Sequence, residues 1–130
     1  MPALPMLKKR KDFVYISKSG ISFPAKTIVF QAAKNRLPSS RIGFTASKKL
    51  GNAVTRNRCR RRLKAVAALY FNELALPGAD YVLIGRYSTA KADFSKICDD
   101  FKYGMKKVNQ HLNGETDDTK DCPVPLPIVD

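Results

Sequence analysis

Residues 41–64 read RIGFTASKKLGNAVTRNRCRRRLK, and two periods succeed one another within them. Ile42, Phe44 and Ala46 alternate with Gly43, Thr45 and Ser47, the period of a strand with one face toward a core. From Asn52 the period lengthens. Cys59, Leu63, Val66, Ala67, Tyr70 and Leu74 recur every three or four residues, which predicts one amphipathic helix from Asn52 to about Leu74. Lys48 to Gly51 lie between as a loop.

The flanks fit around this strand–loop–helix unit. Upstream, Asp12 is placed to cap a short helix through about Lys18, which Gly20 stops. Ile21 to Phe23 is strand-like and broken by Pro24, and Lys26 to Ala33 carries the β-branched run Thr27-Ile28-Val29. Asn35-Arg36-Leu37-Pro38-Ser39-Ser40 is turn chemistry. Downstream, Pro77-Gly78 ends the long helix. Asp80 to Ser88, centred on Tyr81-Val82-Leu83-Ile84, reads as a buried strand. Asp93 is placed to cap a last helix, striped by Phe94, Ile97, Cys98, Phe101, Met105, Val108 and Leu112. This order predicts a single α+β domain over residues 1–112, a sandwich of helices on a small sheet. Residues 113–130 hold five acids, one lysine and Pro123, Pro125 and Pro127, and are expected to form a flexible acidic tail.

The charge is as unevenly placed as the periods. The 130 residues carry a formal net charge of +13. Residues 1–64 hold 17 Lys and Arg against the single acid Asp12, whereas residues 65–130 hold 7 against 10 acids. Segregation of this kind marks a face for a polyanion. On a helical wheel with Cys59 at zero, the core stripe centres near 20°, and Asn57, Arg61 and Lys64 fall at about 160°, 200° and 140°. Arg60 and Arg58 flank them. Arginine forks pair with successive phosphate oxygens, and uncompensated like charge is relieved by a polyanion. Nucleic-acid binding therefore outweighs a merely solvated helix face.

Other classes recede. His111 is the only histidine, and Cys59, Cys98 and Cys122 form no Cys-x-x-Cys pair. Neither a zinc site nor a histidine-based nucleophilic mechanism is expected, and the thiols read as reduced and cytoplasmic. Asp12, Glu73 and Asp80 are read as capping or solvated acids, not as metal ligands. No run of eighteen apolar residues is present, and no apolar stretch follows Lys8-Lys9-Arg10-Lys11, so neither a membrane span nor a secretory signal is expected.

Arg41-Ile42-Gly43-Phe44, Ser47-Lys48-Lys49, Gly51-Asn52-Ala53-Val54 and Arg56-Asn57-Arg58 together resemble the protein component of bacterial ribonuclease P. The resemblance is strongest over Arg41 to Lys64, and the order of elements extends it from about Met6 to Leu112. It implies an αβββαβα sandwich with a left-handed crossover. It also implies an RNA-binding subunit that assists a catalytic RNA in removing the 5′ leader of precursor tRNA, with Mg²⁺ held mainly by that RNA. The implied RNA contacts are Lys48, Lys49, Asn52, Arg56, Asn57, Arg58, Arg60, Arg61 and Lys64. A cleft beside the first helix is implied to hold the leader. Phe13 matches an aromatic position there, with plain core packing as its competing reading. Ser17 stands where some members carry a second aromatic, and Tyr15 and Phe44 are the candidates to compensate. A cytoplasmic protein, monomeric when free, is expected. A structural RNA-binding module and a protein-only nuclease are the alternatives; the Arg56-Asn57-Arg58 motif disfavours the first, and the lack of a carboxylate or histidine cluster the second.

Overall fold

The computed structural model describes residues 4–35, 37–46 and 50–112. They form α1 (Arg10–Ser19), β1 (Ile21–Pro24), β2 (Ile28–Lys34), β3 (Arg41–Ala46), α2 (Ala53–Leu74), β4 (Ala79–Gly85), α3 (Tyr87–Lys91) and α4 (Phe94–Leu112). The strands make one sheet in the order β1-β2-β4-β3. β2 is antiparallel to β1 and β4, and β3 is parallel to β4, with α2 as the crossover between them. Every residue of β4 is buried, as a continuous apolar run between covered faces requires. The outer edge of β3 is partly covered by the chain start: Ile42 N–H donates to Pro5 O and Leu7 N–H to Ile42 O, both at 2.8 Å. This leaves fewer unpaired edge groups exposed.

Strand alternation divides the sheet into two layers. Ile28, Phe30, Ile42, Tyr81 and Leu83 face a core built with Leu63, Val66 and Phe71 of α2 and Phe101, Met105 and Val108 of α4. Val29, Ala33, Val82 and Ile84 face the other way, toward Leu7, Ile16 and Phe13. The sandwich is therefore α1, sheet, then α2 with α4. Tyr70 and Leu74 pack on the rim of the larger core, and Phe71 takes the fully buried place in that turn of α2.

Three local expectations change. α1 starts at Arg10 with Lys9 as its N-cap, so Asp12 lies in the first turn instead of capping it. There it complements the helix dipole and faces Arg41. The strand expected to reach Ser88 ends at Gly85, because residues 86–89 bond back on themselves and on the β1–β2 loop. Arg86 N–H donates to Thr89 Oγ1 at 2.8 Å, Thr89 Oγ1 to Thr27 O, and Ser88 Oγ to Lys26 O at 2.7 Å. These bonds wind α3, one helix more than the expected order contained. Asp80 is buried instead of solvated. It accepts from Arg41 Nε at 2.9 Å, Arg41 Nη2 at 2.6 Å and Asn35 Nδ2 at 2.7 Å.

Candidate nucleic-acid interface

The basic helix is built from its first residue. Gly51 has φ 107, a backbone conformation that glycine adopts without steric cost. Asn52 follows as N-cap, its Oδ1 accepting from Thr55 N–H at 3.0 Å. The cap fixes the helix start, and the buried stripe Cys59, Leu63, Val66, Ala67 and Phe71 fixes its rotation. Val54, Asn57, Arg60, Arg61 and Lys64 then line one open depression of about 490 Å³ on the outer face. Arg60 Nη1 donates to Asn57 Oδ1 at 3.0 Å, holding that guanidinium along the helix. Among the described residues no acid pairs with an α2 arginine; the ion pairs there belong to Arg41. Lys48 and Lys49 lie outside the described residues.

The arginines of α2 separate into two sets. Arg58 Nε and Arg62 Nη1 both donate to Ala90 O, at 2.9 and 3.0 Å, and Arg62 Nη2 donates to Ala92 O. They satisfy carbonyls left open where α3 ends, so Arg58 serves the fold as well as the basic surface. Arg62, outside the set of RNA contacts expected from sequence, belongs to the same clamp. Arg56 is half-buried, and its Nε is buried without a partner. Between these side chains the Cys59 thiol is pushed above its ordinary pKa by burial, against the pull of Arg62, which makes it a poor nucleophile.

The second candidate surface lies under α1. Arg10, Phe13, Val14 and Ser17 line a groove of about 50 Å³ whose other walls are Gln31, Thr45, Val82 and Ile84. Phe13 is half-buried, with its ring over Gly43, where a Cβ would stand 2.5 Å from two ring carbons. Only glycine admits the ring so close. Phe44 is not in this groove. It packs on the α2 and α4 core, because period two turns it away from Gly43 and Thr45. Arg41 ties the same helix to the sheet: Nη1 lies 3.6 Å from Asp12 Oδ2 while its other nitrogens hold Asp80. The hydrogen bonds to Asp80 hold the guanidinium above its ordinary pKa. Among the described residues no group of three or more His, Cys, Asp or Glu is placed to hold a metal ion, and no helix is long and apolar enough to cross a membrane.

The Ribonuclease P family model matches residues 1–109 of this chain. The chain belongs to the ribonuclease P protein family. The ribonuclease P protein component of Paramagnetospirillum magneticum is 40% identical over 110 residues, covering 81% of this chain and 83% of that one. That of Clostridioides difficile is 41% identical over 103 residues, covering 79% and 90%. The fold agrees. The Staphylococcus aureus RNase P protein matches with a TM-score of 0.69 at 26% identity, covering 81% of this chain and 95% of that one. The Thermotoga maritima protein matches with a TM-score of 0.70 at 26% identity, covering 79% and 96%. As the protein component of ribonuclease P, the chain acts with an RNA subunit in the processing of precursor tRNA.

Sequence reasoning missed three features of the ribonuclease P protein surface. The Arg58–Arg62 clamp needed knowledge of α3. That Gln31 and Thr45 line one groove needed the register that places two strands around β4. Arg41 stood in the sequence opposite few acids, but its double pairing with Asp12 and Asp80 required their meeting at one corner of the sheet.

Proposed function

We propose that the outer face of α2 carries the phosphate contacts to the RNA subunit, and that the groove under α1 takes the single-stranded leader of the precursor. Asn57, Arg60, Arg61 and Lys64 form the centre of the first surface. Asn52, Arg56, Arg58, Lys48 and Lys49 extend it toward the helix N-terminus. The observation that carries this reading is the guanidinium face opposite the buried stripe, with no acid set against it among the described residues. Uncompensated charge of that density attracts a phosphate backbone, and binding is favoured by release of its counterions.

On this reading residues 1–112 are the RNA-binding unit, monomeric before RNA is met, and they work in the cytoplasm beside newly made precursor tRNA. Residues 113–130, read from sequence as an acidic tail, lie outside the described residues. Among the described residues, Asp12 and Asp80 are engaged by Arg41, and Asp100 accepts from Thr27 N–H and Oγ1 at 2.9 and 2.7 Å. On this reading the Mg²⁺ of cleavage is held mainly by the RNA subunit.

Cross-linking tests the placement. A photoreactive group at position 57 or 64 should give adducts with the RNA subunit in the assembled enzyme. The same group at Tyr103, exposed on α4, should give few. Adducts favouring Tyr103 would place the RNA on α4 beside Phe23 of β1 and away from the outer face of α2.

A further inference from the structure

α4 carries the acidic end of the chain to the basic helix. Arg62 of α2 bonds to the carbonyls of Ala90 and Ala92, just before α4 begins. In the last turns of α4, Asn109 Nδ2 donates to Leu74 O at 2.7 Å. α4 therefore runs beside the C-terminal half of α2 in the same direction. Leu112 lines one depression with Leu76 and Pro77, the residues that follow α2.

What comes after Leu112 is opposite in charge to α2. Residues 113–122 read NGETDDTKDC, with Glu115, Asp117, Asp118 and Asp121 against the single Lys120. They lie outside the described residues, but their charge and reach follow from sequence. At about 1.5 Å per residue, Lys64 lies about 15 Å and Arg61 about 20 Å back along the helix from Leu74. At no more than about 3.6 Å per residue, chain leaving Leu112 carries Asp117 and Asp118 to about 18–22 Å and Asp121 to about 32 Å. Lys64 and Arg61 are within reach of the first pair, and Arg60 of Asp121. The route between is free of like charge. Ala65, Ala68 and Asn72 fall at about 240°, 180° and 220° on the helical wheel, in line with Arg61 at about 200°. Ala65 and Asn72 are exposed. Glu73, the one acid of α2, falls off that line at about 320°.

We propose that residues 115–121 dock on the outer face of α2 when RNA is absent, as an internal stand-in for phosphate that the RNA subunit displaces. The inference rests on that face being the RNA-binding one. Its cations line an open depression, and among the described residues no acid is set against them. Tethering supplies an effective concentration of about millimolar, while each exposed ion pair is weak. The docked state is thus a sum of small charge contacts, which a long polyanion outcompetes by engaging many cations at once. Affinity for RNA falls by the fraction of protein left open. Short or sparsely charged anions meet a covered face, and the RNA subunit uncovers it.

Zero-length carbodiimide coupling of the full chain, which joins a carboxylate to an amine in contact with it, tests the docking. At low salt, mass spectrometry should find Lys64 joined to Asp117 or Asp118. Coupling should be far less at Lys106, exposed on α4, and at Lys8, Lys9 and Lys11. The Lys64 product should disappear at about 1 M salt, where the screening length is about 3 Å, and also when the RNA subunit is added. Asp117→Asn, Asp118→Asn and Asp121→Asn combined should strengthen RNA-subunit binding about three- to tenfold at low salt. The same variant should steepen the salt dependence, because the intact acidic segment competes most where salt is scarce. Coupling spread evenly over the surface lysines, or an unchanged affinity and salt slope in the triple variant, overturns the proposal. Failure of the underlying reading looks different. Lys64 coupling that persists in the assembled ribonucleoprotein puts the acidic segment on a face the RNA does not use, and the RNA assignment of α2 then falls together with the competition.

Discussion

At Phe13 one ring meets two demands, since its half-buried position over Gly43 packs α1 on the sheet and also walls the groove. Stacking on one aromatic is worth roughly 1–3 kcal/mol. Phe13→Ala should therefore weaken precursor tRNA binding about tenfold or more while mature tRNA binding changes little, as titrations of the two RNAs would measure. Equal loss for both, with a lowered melting temperature, would make the ring core alone. Tyr81 gives a prediction in pH. Its hydroxyl accepts from Leu76 N–H at 2.9 Å and donates to Asn109 Oδ1 at 2.6 Å, and burial pushes its pKa up to about 12. A phenol whose folded pKa lies above its unfolded value of about 10 stabilises the fold fully below pH 10. That contribution is lost as pH rises from about 10 through about 12. Tyr81→Phe should flatten the alkaline fall in stability over that range. At neutral pH it should cost roughly 1–2 kcal/mol for the unpaired Leu76 N–H, as denaturant titrations at several pH values would show.

At the scale of the element, α2 is a helix with three sides. The buried stripe seats it, the Arg58–Arg62 side holds α3, and the Asn57–Arg61–Lys64 side has no duty in the fold. Truncating Arg61 and Lys64 together should leave circular dichroism and melting almost unchanged. For every phosphate that thereby goes without a cationic partner, the salt dependence of RNA-subunit binding should flatten by about 0.7–0.9 logarithmic units. A salt series on the double variant measures this, and an unchanged slope would move the RNA surface elsewhere. Arg62→Ala should behave in the opposite way. It frees the carbonyls of Ala90 and Ala92, and loss of a charged donor to such groups costs roughly 1.5–3 kcal/mol, so the melting temperature should fall. Arg58→Ala should show both effects in part, because its fork reaches Ala90 from an exposed position.

For the whole molecule, the division of labour follows from what the chain brings together. Among the described residues no metal-holding cluster is assembled, and Asp12 and Asp80 are bound to Arg41. Protein freed of RNA should not cleave precursor tRNA, and adding it to the RNA subunit should raise cleavage most at low Mg²⁺. Assays of protein, RNA and mixture decide this, and metal-dependent cleavage by RNA-free protein would refute it. The long helix, its stripe, the basic outer face and the family were legible in residues 41–64, because helix period and charge are properties of neighbours in the chain. The strand alternation of residues 42–46 was legible too, but that it turns Phe44 away from Phe13 needed the facing elements. Where α1 begins, why the chain winds into α3 after Gly85, and which arginines serve the fold were not legible. Those depend on Thr27, Ala90 and Asp80 meeting partners roughly 30 to 70 residues away in the chain. Local period decides which way a side chain points; only the packed sheet decides what it meets there, because hydrogen-bond partners and burial are fixed by distance in space.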